Sequence, residues 1–232
     1  DGASRVLRAL GLDDAEPVIE TAGGLVLEAQ RPVTVLASSW SGPVTLRPGE
    51  TVAVEPRRGS NWTVVAVSGG LKVPLRLGSA SADTLGGIVP FPIADGVVIE
   101  LGAVRGPAIG IPDLVVAPHP GDRAVVSPGP RLDWFDDGAI ERLWSGPWTV
   151  AASSRIGVRL DGPVLTRVET GELPSEGLVA GAIQVPPDGR PIVMGPDHPV
   201  TGGYPVIGIV HRRDLAMVLD RAVGGRIGFV PP

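Results

Sequence analysis

Between Leu173 and Pro205 the chain reads LPSEGLVAGAIQVPPDGRPIVMGPDHPVTGGYP, a run dense in side chains that can do chemistry. Ser175, Glu176, Gln184, Asp188, Asp197, His198, Thr201 and Tyr204, the one tyrosine of the chain, lie among glycines and prolines that fix the backbone. Glu176 offers a carboxylate for acid/base work and Ser175 a hydroxyl, although Pro174-Ser175-Glu176-Gly177 also reads as a plain β-turn. Gln184 interrupts the apolar run AIQVP, so its amide must find partners there, either neighbouring backbone or a ligand amide. Thr201-Gly202-Gly203-Tyr204-Pro205 joins a flexible turn to an aromatic hydroxyl, and Asp197-His198 just upstream is a candidate acid/base pair. In Ser154-Arg155-Ile156-Gly157-Val158-Arg159 two arginines four apart share one face of a strand. A guanidinium fork grips carboxylate or phosphate through two parallel hydrogen bonds. Arg155, at a loop-to-strand junction, is the candidate for anion binding, and Arg159 reads as structural. Singly, each residue has an ordinary structural use. Gathered between short apolar strands, they read as a site-forming loop system on a rigid β scaffold.

The elements that must position this loop system are short. The chain has 33 glycines and 25 prolines among 232 residues, spread between Val/Ile/Leu runs rather than pooled. Many short strands joined by turns account for that pattern. Ser4–Gly11 predicts a short amphipathic helix. Strands are expected at Gly24–Ala29, Val33–Ala37, Thr51–Glu55, Trp62–Val67 and Gly96–Leu101, with turns at 46–51 and 55–61. Residues 103–123 carry four prolines and little periodicity, which predicts a linker. Beyond it, Asp136–Trp144 predicts a helix with acidic residues near its start. Strands follow at Thr149–Ala152, Val158–Leu160, Ala182–Val185, Pro191–Met194, Val206–Val210 and Arg226–Val230. Asp214–Ala222 predicts a helix capped by Asp214 and stopped at Gly224-Gly225. Two β-rich halves result, residues 1–102 and 124–232.

Composition narrows the function. Nineteen arginines and one lysine, Lys72, are scattered through a chain of net charge −5, so no basic stripe marks nucleic-acid binding. No apolar run approaches the roughly 20 residues of a membrane span. No signal-peptide layout opens the chain, so the cytoplasm is the expected compartment. Without cysteine there is no thiolate nucleophile or thiolate metal site. A phosphate loop is excluded because Lys72 sits in GGLKV, and no zinc-protease helix or nucleophile elbow occurs. His119, His198 and His211 are too far apart to form a local metal motif, and no metal is expected. Asn61-Trp62-Thr63 matches a glycosylation sequon but reads as a turn before a strand. The glycines of Ser68-Gly69-Gly70 and of Leu77-Gly78-Ser79, with Ser81 and Thr84 after them, could present N–H groups to an anion. A tight strand connection is the favoured use.

The run SEGLVAGAIQVPPDGRPIVM…TGGYPVIG closely resembles allophanate hydrolase subunit 2, also called the KipA or biotin-dependent carboxyltransferase domain family, which includes the C subunit of 5-oxoprolinase. VSGGLKVPLRLGSASADT, SPGPRLDWF and SSRIGVRLDG are similar to three further elements of that family in the same order, so the resemblance covers nearly the whole chain. It implies a mainly β fold of two tandem cyclophilin-like β-barrel domains with a few short helices. The family's opening strand and loop have no counterpart here, so the first barrel is expected to lack its N-terminal strand. The family's ADRQTTGGYP appears as GPDHPVTGGYP; Asp197 and Thr201 match, whereas a glutamine is replaced by Pro199 or His198, depending on alignment.

The resemblance further implies a cytoplasmic complex with an allophanate hydrolase subunit 1 (KipI-like) partner and the LamB/YcsF-type A subunit of 5-oxoprolinase. Its activity would be ATP-dependent cleavage of a small amide or lactam. On that expectation Glu176 and Arg155 are the catalytic candidates, for acid/base chemistry and anion binding. Ser175, Gln184, Thr201, Gly202, Gly203 and Tyr204 are the substrate-binding candidates. ATP is required by the complex, at a site shared with or lying on a partner. Two alternatives come with the family: the carboxyltransferase part of a biotin-dependent urea carboxylase, needing a separate biotin carrier, and a non-enzymatic antagonist of a kinase inhibitor.

Overall fold

The computed structural model describes residues 2–83, 86–104, 121–169 and 171–232. Most of the expected linker, together with His119 and Thr84, lies outside the described residues. The described chain forms two compact units, with Gly59–Asn61 belonging to the second.

The first unit contains α1 (Gly2–Ala9), β1 (Ile19–Thr21), β2 (Leu25–Glu28), β3 (Val33–Ala37), β4 (Val44–Leu46), β5 (Thr51–Val54), β6 (Thr63–Val67), β7 (Leu71–Lys72) and β8 (Glu100–Leu101). Its main sheet has the order β1-β6-β3-β4, with β2-β5 and β7-β8 as separate two-stranded pairs. Strand alternation sends Val33, Val35, Val65 and Val67 into one core, while Leu36 and Ala66 face the opposite way. Against that second face α1 lays Val6 and Leu7, with Leu10 just beyond its end, all buried. Ser68–Gly70 makes the tight connection from β6 to β7, with the Gly70 N–H donating to the Val67 carbonyl at 3.0 Å.

The second unit contains β9 (Arg123–Pro128), a 3-10 turn (Leu132–Trp134), α2 (Ala139–Ser145), β10 (Trp148–Ser153), β11 (Gly157–Asp161), β12 (Glu176–Gly177), β13 (Ala182–Gln184), β14 (Ile192–Met194), β15 (Thr201–Gly202), β16 (Val206–Val210), α3 (Arg212–Asp220) and β17 (Arg226–Val230). Seven of its strands close into a barrel in the order β10-β11-β14-β13-β16-β9-β17. All neighbours are antiparallel except β17 and β9, and β17 also pairs with β10 to complete the ring. Alternate residues fill the interior: Ala124 and Val126, Trp148 and Val150, Val158 and Leu160, Ile183, Val193, Ile207, Ile227 and Phe229. Trp148 and Phe229 contact each other with ring centroids 6.5 Å apart, and the Trp148 indole N–H donates to the Leu143 carbonyl at 2.8 Å. Met217 and Val218 of α3 and Ala139 and Leu143 of α2 join the same core.

The chain is thus mainly β with three short α-helices among the described residues. Of the two expected barrels, closure is found in the second unit, whereas the described strands of the first form open sheets. Asp214 is not a helix cap. The helix begins two residues earlier, and Asp214 Oδ2 instead accepts the Val125 N–H of β9 at 2.9 Å, tying α3 to the barrel. The other predicted helix starts at Ala139 rather than Asp136, because a turn precedes it in which the Ala139 N–H bonds the Asp136 carbonyl. The expected strand at Gly96–Leu101 shrinks to its last two residues, since Val97 bonds back to Ala94 in a turn. Among the described residues no helix is long and apolar enough to cross a membrane.

Outside the barrel, Arg159 of β11 pairs with Asp188, which also accepts the Arg190 N–H at 3.1 Å. Partial burial opposes ionisation of Asp188, but these two donors outweigh it and hold the carboxyl below the ordinary Asp range. A carboxylate with a lowered folded pKa stabilises the fold above its unfolded pKa, about 4, and loses that contribution as pH falls through the folded value. Asp188→Asn should therefore flatten the acid limb of a urea-denaturation stability profile below about pH 4 while leaving the shape near pH 7 unchanged. Trp148→Ala should cost about 3–5 kcal/mol by the same denaturation measurement, since it empties the barrel centre and strands the Leu143 carbonyl.

Candidate functional site

The candidate site lies on the outer face of the barrel, and the alternation of β13, β14 and β16 explains how it arises. Ile183, Val193 and Ile207 point inward, so Ala182, Met194 and Val206 face out. An exposed apolar face of this kind needs a cover. Leu178 supplies it, together with the two-stranded β12-β15 sheet that stands apart from the barrel. The pairing is Glu176 opposite Gly202 and Gly177 opposite Thr201, and the Leu178 N–H extends it to the Val200 carbonyl at 2.9 Å.

Gln184 shares the outward face with Ala182, two residues before it. It is buried because this small sheet covers it. Its Nε2 donates to the Tyr204 carbonyl at 3.0 Å, so of its two expected uses, bonding the neighbouring backbone is the one observed. Gly202 packs directly over the amide. A Cβ there would lie 2.5 Å from Gln184 Nε2 and 2.8 Å from Leu178 Cδ1. Thr201, Gly203 and Ser175 are exposed, and Tyr204 is 43% exposed.

Arg131, within the SPGPRLDWF element but not among the expected site residues, enters three residues past the end of β9. The Gly129 N–H donates to the Ile207 carbonyl at 2.8 Å, and the Arg131 N–H to the Val206 carbonyl at 3.3 Å. A side chain at position 129 would run into the Val206 carbonyl, so this close crossing requires glycine. The crossing delivers Arg131 to Glu176. Its Nε lies 3.0 Å from Glu176 Oε2, and its Nη2 contacts Oε1. That is a bidentate pair with about a third of each side chain exposed. SPGPR offered one clue in retrospect, a cation placed just past a strand by a proline-glycine-proline stretch.

Arg155 belongs to a different pair. It occupies the turn before β11, and its carbonyl accepts the Asp197 N–H at 3.1 Å. Its guanidinium holds the Asp197 carboxylate through Nε at 2.6 Å and Nη2 at 3.2 Å. Asp197 is thereby turned to Arg155 rather than to His198, whose Nδ1 lies 2.7 Å from the Pro199 carbonyl. The Asp197-His198 acid/base pair does not form. Glu176, Gln184, Gly202 and Tyr204 are brought together by strand pairing and hydrogen bonds, with Arg131 added. Arg155 and Asp197 form a second, separately braced centre.

Gly202→Ala should push Gln184 and Leu178 apart and loosen the β12-β15 pairing, at a cost of about 1–3 kcal/mol. Amide hydrogen exchange would report it as faster exchange at Leu178, with barrel amides such as Val193 unchanged.

Known proteins are similar to this chain in sequence or in fold. The family model described as carboxyltransferase domain, subdomain A and B, matches residues 6–231. The C subunit of 5-oxoprolinase from Escherichia coli (strain K12) is 32% identical over 199 residues, 82% of this chain and 63% of that protein. This chain therefore spans less than two thirds of that relative's length. The urea amidolyase of Saccharomyces cerevisiae is 28% identical over 216 residues, 82% of this chain and 12% of that much longer protein. The crystal structure of TTHA0988 superposes with a TM-score of 0.84 at 33% identity, covering 98% of this chain and 48% of that one. With the family model matched across residues 6–231, the chain belongs to the carboxyltransferase domain family, subdomain A and B.

Proposed function

We propose that this chain is one subunit of an ATP-dependent complex that hydrolyses a small amide or lactam, of the 5-oxoprolinase type. The observation that carries the reading is the 32% identity to the C subunit of 5-oxoprolinase across 82% of this chain. A lactam carbonyl is a poor electrophile. Transfer of the ATP γ-phosphoryl group to the amide oxygen releases ADP and leaves an electrophilic imidate phosphate. Water adds to its carbon, and the C–N bond breaks with the nitrogen leaving as the protonated amine. Hydrolysis of the resulting acyl phosphate releases the carboxylate and phosphate. Such a site needs a group to move protons and donors for the anionic parts of substrate and intermediate.

In this reading Glu176 is the acid/base residue and Arg155 holds an anionic group. Thr201, Gly202, Gly203 and Ser175 line the approach, and Tyr204 orients the substrate. Gln184 contributes by fixing the Tyr204 backbone. ATP is bound by the complex, at a site completed by a KipI-like partner, and the LamB/YcsF-type A subunit is the further component. The assembly is cytoplasmic. Residues 1–102 and 124–232 are the two domains, joined by 103–123, each taken to follow a cyclophilin-like plan; in favour of this stands the closed barrel of the second unit, while the described strands of the first form open sheets.

A second reading rests on the urea amidolyase relative. There the chain would help transfer carboxyl from a separate biotin carrier to urea. The third, an antagonist of a kinase inhibitor, needs no catalytic residue. Co-purification with the partner subunits, followed by an assay of 5-oxoproline-dependent ATP hydrolysis, tests the first reading, with urea plus a biotin carrier as the control. Turnover with 5-oxoproline is expected, and Glu176→Gln should lower kcat at least 100-fold with the complex intact. A stable complex that turns over neither substrate would eliminate both enzymatic readings and leave the antagonist.

A further inference from the structure

Besides Arg131–Glu176, the described residues include arginine–carboxylate pairs made by Arg8, Arg142, Arg155, Arg159 and Arg190. Several of these are local or are supported by backbone on the acidic side. Arg8 and Arg142 reach carboxylates six positions away. The Asp197 N–H bonds the very residue whose guanidinium holds its side chain. Arg131–Glu176 is built differently. The backbone of its cationic residue is anchored to the barrel through the Val206 carbonyl and the glycine crossing at 129. Its anion sits on a two-residue strand of a sheet outside the barrel. Tyr204 lies in the chain between Gly202, opposite Glu176, and Val206, which accepts the Arg131 N–H.

The geometry points to Arg131 as a binding residue for the carboxylate of a small substrate, with Glu176 occupying its guanidinium fork until that substrate arrives. A carboxylate seated bidentately in the fork already demonstrates the chemistry the fork accepts. With about a third of each side chain exposed, the internal pair is partly screened by solvent, and displacing it costs an incoming carboxylate on the order of fivefold in affinity. Exchange also has a catalytic consequence. An incoming carboxylate releases the Glu176 carboxylate beside the newly bound molecule, free to accept a proton. Substrate binding and release of the acid/base group become one event. The acid/base part rests on the proposed hydrolase reading; the carboxylate site does not.

The test titrates the chain itself with 5-oxoproline and with 2-pyrrolidinone, the same lactam without its carboxylate, following the Arg131 side-chain Nε–H by 15N NMR. A saturable shift with 5-oxoproline and none with 2-pyrrolidinone is expected. Arg131→Gln should weaken binding of 5-oxoproline at least tenfold, and Arg131→Lys, which keeps charge but loses the fork, should fall between. Glu176→Gln should tighten binding by up to about fivefold, because the internal competitor is gone. A pair that merely braces β12 gives the opposite result: both Glu176→Gln and Arg131→Gln would weaken binding alike. That outcome, or equal binding of the two lactams, or no binding of either, overturns the proposal. Barrel amide shifts in each variant establish that the fold is intact. Carboxylate-selective binding by a chain whose complex shows no 5-oxoproline-dependent ATP hydrolysis would sink the hydrolase reading alone.

Discussion

Burial of both faces of the β13–β14–β16 patch is the constraint from which the candidate site follows. A barrel strand normally keeps one face for the interior and leaves the other to solvent. Here the interior takes Ile183, Val193 and Ile207, and the outer face is still apolar, with Ala182, Met194 and Val206. The hydrophobic effect therefore demands a second layer, and the β12-β15 sheet with Leu178 provides it. Three residues of the candidate site, Glu176, Gln184 and Arg131, meet at that layer. Gln184 is buried by it, Glu176 is carried on it, and Arg131 reaches Glu176 from the segment after β9.

The same arrangement divides labour between rigid and adjustable parts. Arg131 is placed by backbone hydrogen bonds where two chain segments cross too closely for any side chain at position 129. Glu176 is placed by two residue pairs and one guanidinium. A backbone anchored beneath the cation and a two-residue strand beneath the anion suit the proposed carboxylate exchange, since only one partner has to be preorganised. Arginine suits the anchored position because its planar fork defines direction as well as charge.

The sequence made the regular parts of this architecture readable. Strands at Val33–Ala37, Val206–Val210 and Arg226–Val230 have the boundaries that β-branched runs and flanking turns suggest. Two-residue strands such as β12 and β15 escape such reading because they carry no periodicity; they exist through their pairing. Gln184 was legible as an anomaly, since an amide in an apolar run announces a partner, but the partner's identity depended on which face the residue took. His198 drew attention by its chemistry and turned out to bond its neighbour's carbonyl, because Asp197 is held by an arginine 42 residues away. Arg131 was the reverse case, an ordinary-looking residue whose position is set by a backbone crossing. Long-range pairings of this kind are invisible to local pattern.

The closure of the barrel sets an order on how the second unit is made. β17 pairs with β9 on one side and β10 on the other, and it is the last strand of the ring in chain order. Until residues 226–230 are available the ring cannot close, because β9 and β10 lack the partner that β17 supplies. The sheet edge of β9, destined for a parallel partner roughly a hundred residues later, is exposed longest. A late-closing ring of this type folds slowly for topological reasons and presents its edges to other chains in the interval. The parallel β9–β17 pairing, joining the first and last strands of the ring in chain order, is thus the contact of highest sequence separation on which closure depends.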